Sequence, residues 1–248
     1  MATPPSAQGR AGAGASAAAA IGAIGVIALG RVVTMSGAAG GALPWSSAAF
    51  YVAIMAVVLW SVGRHHRHGA FGPANHVTVA RAVLTSLVAG AALERPTDAL
   101  AWWIIALAGI ACLLDGVDGV LARRTGLHST FGERFDMEVD ALLVLAVSVL
   151  VWRFGKAGAW ILGCGLMRYA FVAARLAWPW LGRPLSPTLR GKTVAVLQLV
   201  GLGAALAPIV RPPASGAIAA LTLAALAWSF AIDVRRLHRA ESGRVPAR

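Results

Sequence analysis

From Asp115 to Asp140 the chain reads DGVDGVLARRTGLHSTFGERFDMEVD, and these residues include six of its ten acidic side chains. Asp115 and Asp118 stand at i,i+3 and Asp136 and Asp140 at i,i+4, so on helices each pair shares one face. Both pairs adjoin long apolar runs. A carboxylate at the centre of a bilayer costs about 2.5 to 3.5 kcal/mol on insertion scales, so four of them together require a compensating partner. A hard divalent cation, Mg²⁺ or Mn²⁺, suits carboxylate oxygens, and no thiolate or imidazole cluster interrupts the set. With a cation present, repulsion among the acids becomes ligation. A buried ion-pair network is the competing arrangement, and it would need as many nearby bases as acids.

The surroundings are too apolar for an ordinary soluble domain. Of 248 residues, 58% are hydrophobic and 13% charged, and the mean hydropathy is +0.71. This composition predicts an all-α, polytopic transmembrane helix bundle. The formal net charge of +12 raises nucleic acid as a partner, but that would need a basic face with stacking aromatics on a soluble fold. Here the bases collect at helix ends, as membrane topology demands. Cys112 and Cys164 lie in apolar segments and read as small core residues.

Apolar runs predict spans at roughly 16–34, 44–63, 76–93, 98–122, 133–152, 157–180, 191–210 and 214–234, each near the twenty residues that cross the hydrocarbon core. Residues 1–15, rich in Pro, Gly and Ala, are expected to be a disordered tail. The 16–34 run also suits the apolar core of a secretory signal, but the weak n-region at Arg10 and the spans that follow favour a retained helix. RHHRHG, residues 64–69, does not have zinc spacing and reads as a basic loop against the anionic cytoplasmic leaflet. Residues 16–70 thus form two N-terminal spans with a basic loop, and 238–248 a basic cytoplasmic tail. Thirteen of the 22 basic residues fall on one side of this topology and five on the other. That asymmetry puts both termini and the Asp115–Asp140 hairpin on the cytoplasmic face of the cell's inner membrane.

Within the hairpin, the 98–122 helix descends and the 133–152 helix returns, so the acids meet at one depth, about 6 to 12 Å inside the helix ends at 1.5 Å per residue. Gly119, Ala122 and Gly132 keep the intervening face small enough for a helix backbone or a diphosphate to approach. Gly116 reads as ordinary helix packing. Glu138, about 200° round the helix from Asp136 and Asp140, reads as a helix contact rather than a ligand, and Glu133 as a favourable first-turn acid.

Written as a pattern, Asp115, Asp118, Gly119, Ala122, Arg123, Gly132, Asp136 and Asp140 give D-x2-D-G-x2-A-R-x8-G-x3-D-x3-D. This resembles the signature of the CDP-alcohol phosphotransferases (CDP-alcohol phosphatidyltransferases) at every fixed position. The resemblance implies a six-helix domain over residues 71–237, with two divalent cations bound by the aspartates. Asp115, Asp118 and Asp136 would be metal ligands, and Asp140 would touch metal and act as general base on an acceptor hydroxyl. The implied reaction moves a phosphatidyl group from CDP-diacylglycerol to a small hydroxyl acceptor and releases CMP. Arg123 belongs to the implied nucleotide and phosphate contacts, together with the small residues Gly119, Ala122 and Gly132.

Two further stretches extend the likeness. GPANHVTVAR, residues 72–81, resembles the family's P-N-x-x-T-x-x-R entry with one extra residue, which directs Asn75, Thr78 and Arg81 toward the nucleotide. An N-cap role for Asn75 is the plainer alternative. RGKTVAVLQ, residues 190–198, is a looser match from which Lys192 alone is carried over, as a phosphate contact. Arg168 and Arg175, seven apart on one helix face, are costly in lipid and so should point inward, toward an acceptor pocket; snorkelling of Arg175 is the competing reading. Ala141 stands where glycerophosphate-using members commonly have lysine, and the acceptor stays open. Homodimerisation is carried by family analogy alone. The alternatives are transfer of a CDP-linked head group to a lipid hydroxyl, and a cation-binding transporter or scaffold without catalysis. The position of the acids near one face, with no internal repeat, weighs against the last.

Overall fold

In hydrocarbon every backbone N–H and C=O must be satisfied within the segment itself, which leaves helices as the economical answer to such apolar runs. The computed structural model describes residues 7–65, 73–125, 130–182 and 188–242. Eight α-helices lie among the described residues: α1 Ala7–Met35, α2 Leu43–His65, α3 Pro73–Ala91, α4 Asp98–Thr125, α5 Thr130–Arg153, α6 Gly163–Ala177, α7 Leu189–Leu206 and α8 Ala214–Ser242. No strand occurs among them. The protein is an all-α polytopic bundle, as its composition predicts.

Among the described residues, five stretches are long and apolar enough to cross a membrane: Ser16–Met35, Asp98–Gly116, Ala159–Ala177, Leu189–Leu206 and Ala214–Arg239. Leu43–Val58 and His76–Ala91 are shorter apolar helices. In α5 the charged residues of the first three turns leave an apolar part only from Ala141 to Trp152.

Several expected boundaries move. α1 begins at Ala7, within the stretch expected to be a disordered tail, because its alanine-rich sequence carries high helix propensity. α8 likewise runs on to Ser242, through the first part of the expected C-terminal tail. The 157–180 run is broken: a 3-10 turn at Ala159–Leu162 precedes α6, and a second follows at Pro179–Gly182. Pro208, which follows Ala207, accounts for the end of α7 at Leu206, short of the expected 210. The basic loop after His65, most of the connection between α4 and α5, and the ends 1–6 and 243–248 lie outside the described residues.

The chain forms two compact units, Met1–Val147 and Ser148–Arg248. In the first, α3 is the central element. Residues 81–88 are buried without interruption, the pattern of a helix surrounded by others. α1, α2 and α4 all pack on it. Small residues permit the close approach: a Cβ on Gly90 would lie 2.8 Å from the Ser47 backbone nitrogen, and one on Gly30 would lie 2.9 Å from Pro44 Cα. The α1–α2 turn is tied to the α3–α4 turn by polar bonds. Gly40 N–H donates to Glu94 Oε2 at 2.8 Å, Thr97 Oγ1 to the Ala38 carbonyl at 3.1 Å, and Trp103 Nε1 to Ser36 Oγ at 3.1 Å. Thr97 also caps α4 by accepting from Leu100 N–H at 3.1 Å.

In the second unit, α7 and α8 pack along each other. Thr188 caps α7, its Oγ1 accepting from Gly191 N–H at 3.1 Å. At the other end Lys156 Nζ donates to the carbonyls of Ala207 (2.9 Å) and Val210 (2.6 Å), in the turn that follows α7. Arg190 crosses to α8, donating to the Ser229 carbonyl at 2.6 Å and pairing with Asp233.

Candidate active site

Three sequence facts build the site: an arginine in an otherwise apolar helix, an aspartate late in α4, and an i,i+4 aspartate pair early in α5. The fold brings them together inside the first unit. One carboxylate oxygen from each of Asp115, Asp136 and Asp140 lies within 4.8 Å of the other two. Arg81 sits among them with its side chain 1% exposed. Its Nη1 is 3.1 Å from Asp115 Oδ1 and also pairs with Asp136 Oδ1, while Nη2 pairs with Asp140 Oδ1.

The arrangement corrects the expectation that an ion-pair network needs one base per acid. A guanidinium carries five N–H donors in a fixed fork, so one arginine serves three carboxylates. Charge is another matter. One guanidinium against three carboxylates leaves a formal excess of two negative charges. The acids are 45% (Asp115), 31% (Asp136) and 48% (Asp140) exposed, so the set is open on one side and closed by Arg81 on the other. Oxygen donors only, residual negative charge and access from outside are what a hard divalent cation requires, and the residues fit one.

The remaining expected residues are placed as follows. Thr78 is buried one turn before Arg81 on the same face of α3. Asn75 is the third residue of α3, which begins at Pro73, so it is not the N-cap; proline suits the first helical position. Asp118, Gly119, Ala122 and Arg123 continue α4, and Gly132 lies in the first turn of α5; the side chains of these residues and of Asn75 are outside the described set. Glu138 is exposed and does not join the clustered oxygens. A Cβ on Gly116 would meet no described atom within 4 Å, so the packing role expected for it is not seen; the residue faces outward on α4. In the second unit, Arg168 is half-buried on α6. Arg175 is exposed, with Nη2 3.4 Å from the Gly182 carbonyl, and Lys192 is exposed near the start of α7.

Sequence reasoning missed the partnership of Arg81 with the acids. The signal was present, because an arginine within an apolar span must find anions. It also missed the Arg190–Asp233 pair, whose members stand at the start of α7 and late in α8.

A model of the CDP-alcohol phosphatidyltransferase family matches residues 71–232. The chain belongs to that family. The match begins immediately before α3 and takes in Arg81 and all four aspartates, whereas α1 and α2 precede it. Over 98 residues, 39% of this chain, the sequence is 32% identical to the CDP-diacylglycerol--glycerol-3-phosphate 3-phosphatidyltransferase of Bacillus subtilis strain 168. The aligned part spans 51% of that relative, about half its length. No solved structure matches the chain.

Proposed function

We propose that this CDP-alcohol phosphatidyltransferase family member transfers a phosphatidyl group from CDP-diacylglycerol to a small hydroxyl acceptor, releasing CMP, from the cytoplasmic face of the inner membrane. The observation that carries the reading is the convergence of Asp115, Asp136 and Asp140, from two helices, on one partly exposed spot within the family's region.

Two divalent cations, Mg²⁺ or Mn²⁺, would be held by Asp115, Asp118 and Asp136, with Asp140 touching them as well. When bound, they supply positive charge that offsets the diphosphate and the departing CMP. The chain's own part is proton transfer and positioning. Asp140 takes the proton of the acceptor hydroxyl as its oxygen bonds to the lipid-bearing phosphorus; the bond from that phosphorus to the CMP oxygen breaks, and CMP leaves. Asn75, Thr78 and Arg81 present donors to the nucleotide diphosphate. Gly119, Ala122 and Gly132 leave room for it, and Arg123 and Lys192 add positive charge. Arg168 and Arg175 are cations that would suit an anionic alcohol. Glycerol 3-phosphate, named for the Bacillus relative, is the first acceptor to test.

The test is product identification. Purified protein in detergent with Mn²⁺ is given CDP-diacylglycerol and a panel of alcohols, and separately a soluble CDP-linked head group with diacylglycerol, and the lipids are read by mass. A phosphatidyl product from the first set is expected. A product from the second set alone would overturn the donor assignment.

A further inference from the structure

We infer that Arg81 is a resident counter-ion that occupies the carboxylates in place of a divalent cation, so that cation loading is an exchange against this guanidinium rather than entry into a vacant acid cluster. The inference deepens the proposed function and rests on its metal-binding reading.

Three observations carry it. Arg81 is almost completely buried, and its placement deep in the unit excludes water as the main partner of its charge. Its fork reaches both aspartates of the α5 pair and also Asp115 of α4, so one side chain ties α3, α4 and α5 together at the acids. The three residues that it engages are the same three whose carboxylates could together hold a metal ion. A cation and the guanidinium therefore draw on the same negative charge.

The consequence is a divided role. Without a cation, three acids close together would repel one another and spread the helix ends; Arg81 holds them in place. With a cation, the same guanidinium is a competitor and lowers the affinity of the site. A diphosphate arriving with the substrate offers the displaced guanidinium a new anion, which favours joint loading of cation and nucleotide over loading of the cation alone. Arg81 is in this sense a positioning residue for the acids. A purely structural role would predict that its removal loosens the cation site; counter-ion exchange predicts the opposite.

The experiment measures Mn²⁺ affinity by electron paramagnetic resonance, without nucleotide, on full-length wild type, Arg81→Lys and Arg81→Gln. Each protein is purified with Mn²⁺ present and then stripped with EDTA. A neighbouring opposite charge changes the proton affinity of a carboxylate by roughly ten- to a thousandfold, and Mn²⁺ competes for the same oxygens. The expected result is an affinity at least about tenfold tighter in Arg81→Gln, with Arg81→Lys between it and wild type, because a lysine keeps the charge but not the fork. Unchanged or weaker Mn²⁺ binding in the variants overturns the inference. If Arg81→Gln does not survive stripping, Arg81→Lys decides on the same criterion. Asp136→Asn separates the two levels. Mn²⁺ binding that is lost in Asp136→Asn yet indifferent to Arg81 sinks the exchange alone. Absence of Mn²⁺ binding in wild type and in both Arg81 variants, or binding indifferent to Asp136, sinks the metal site and the exchange with it.

Discussion

Arg81 Nη1 on α3 lies 3.1 Å from Asp115 Oδ1 on α4, and this contact joins the first helix of the family region to the second at the point where the acids gather. Because Arg81 also pairs with Asp136 and Asp140, one guanidinium links three helices at the site. Substitutions here are therefore expected to change chemistry and helix packing together, and the predictions below separate the two.

Asp140→Asn removes the proposed base while keeping side-chain size. CMP release should fall by about 10² to 10⁴-fold, with elution and helix content in detergent unchanged. The assay is nucleotide release followed by chromatography. Activity within a few-fold of wild type would take the base role from Asp140.

Asp115→Asn and Asp136→Asn each remove a formal charge from the clustered oxygens, so the Mn²⁺ concentration for half-maximal rate should rise by about tenfold or more. Titration of activity with Mn²⁺ reads this directly. An unchanged requirement in both variants would mean that these acids do not hold the cation.

The N-terminal hairpin should contribute to stability through its seat on α3. In Gly90→Val, the added side chain has nowhere to go beside Ser46 and Ser47, and overpacking of this kind costs about 1 to 3 kcal/mol. Glu94→Gln weakens the charge-assisted bond from Gly40 N–H, which is worth about 1.5 to 3 kcal/mol. Thermal unfolding in detergent should show a lowered midpoint for both. An unaltered midpoint in both would mean that α1 and α2 rest on α3 without stabilising it.

In the second unit, Arg190→Met leaves Asp233 and the Ser229 carbonyl without their common donor. Side chains here are only 17% and 28% exposed, so a loss of about 1.5 to 3 kcal/mol is expected. Arg190→Met with Asp233→Leu should recover part of it, since an apolar pair of similar volume is often as stable as a buried ion pair. Thermal midpoints of the single and double variants test this.

The helical nature of the chain and the hairpin of paired acids were legible because each rests on local information. Run length and hydropathy set the helices, and i,i+3 or i,i+4 spacing sets a shared face. Helix ends were less so: Ala7 starts α1 because propensity competes successfully with a composition that looks disordered, and the 3-10 turns around α6 break a run whose apolar residues continue through both of them. What local reading could not supply was the third dimension. Arg81 and Asp140 are far apart in sequence, and only the packing of α3 with its neighbours decides that this arginine reaches the acids first. Counting bases against acids also overlooks that one guanidinium has donors for three carboxylates, although its single charge balances only one of them.

The central claim is that the aspartates of α4 and α5 hold divalent cations and drive CMP release from CDP-diacylglycerol. Its most direct test is CMP release by the purified chain with glycerol 3-phosphate and other small alcohols, in Mg²⁺, in Mn²⁺ and in EDTA, beside Asp136→Asn. The account predicts acceptor-dependent release with either cation, none in EDTA, restoration when the metal is returned, and a deep loss in the variant. Folded protein that releases no CMP with any acceptor, or that releases it equally well in EDTA and in Asp136→Asn, would contradict it.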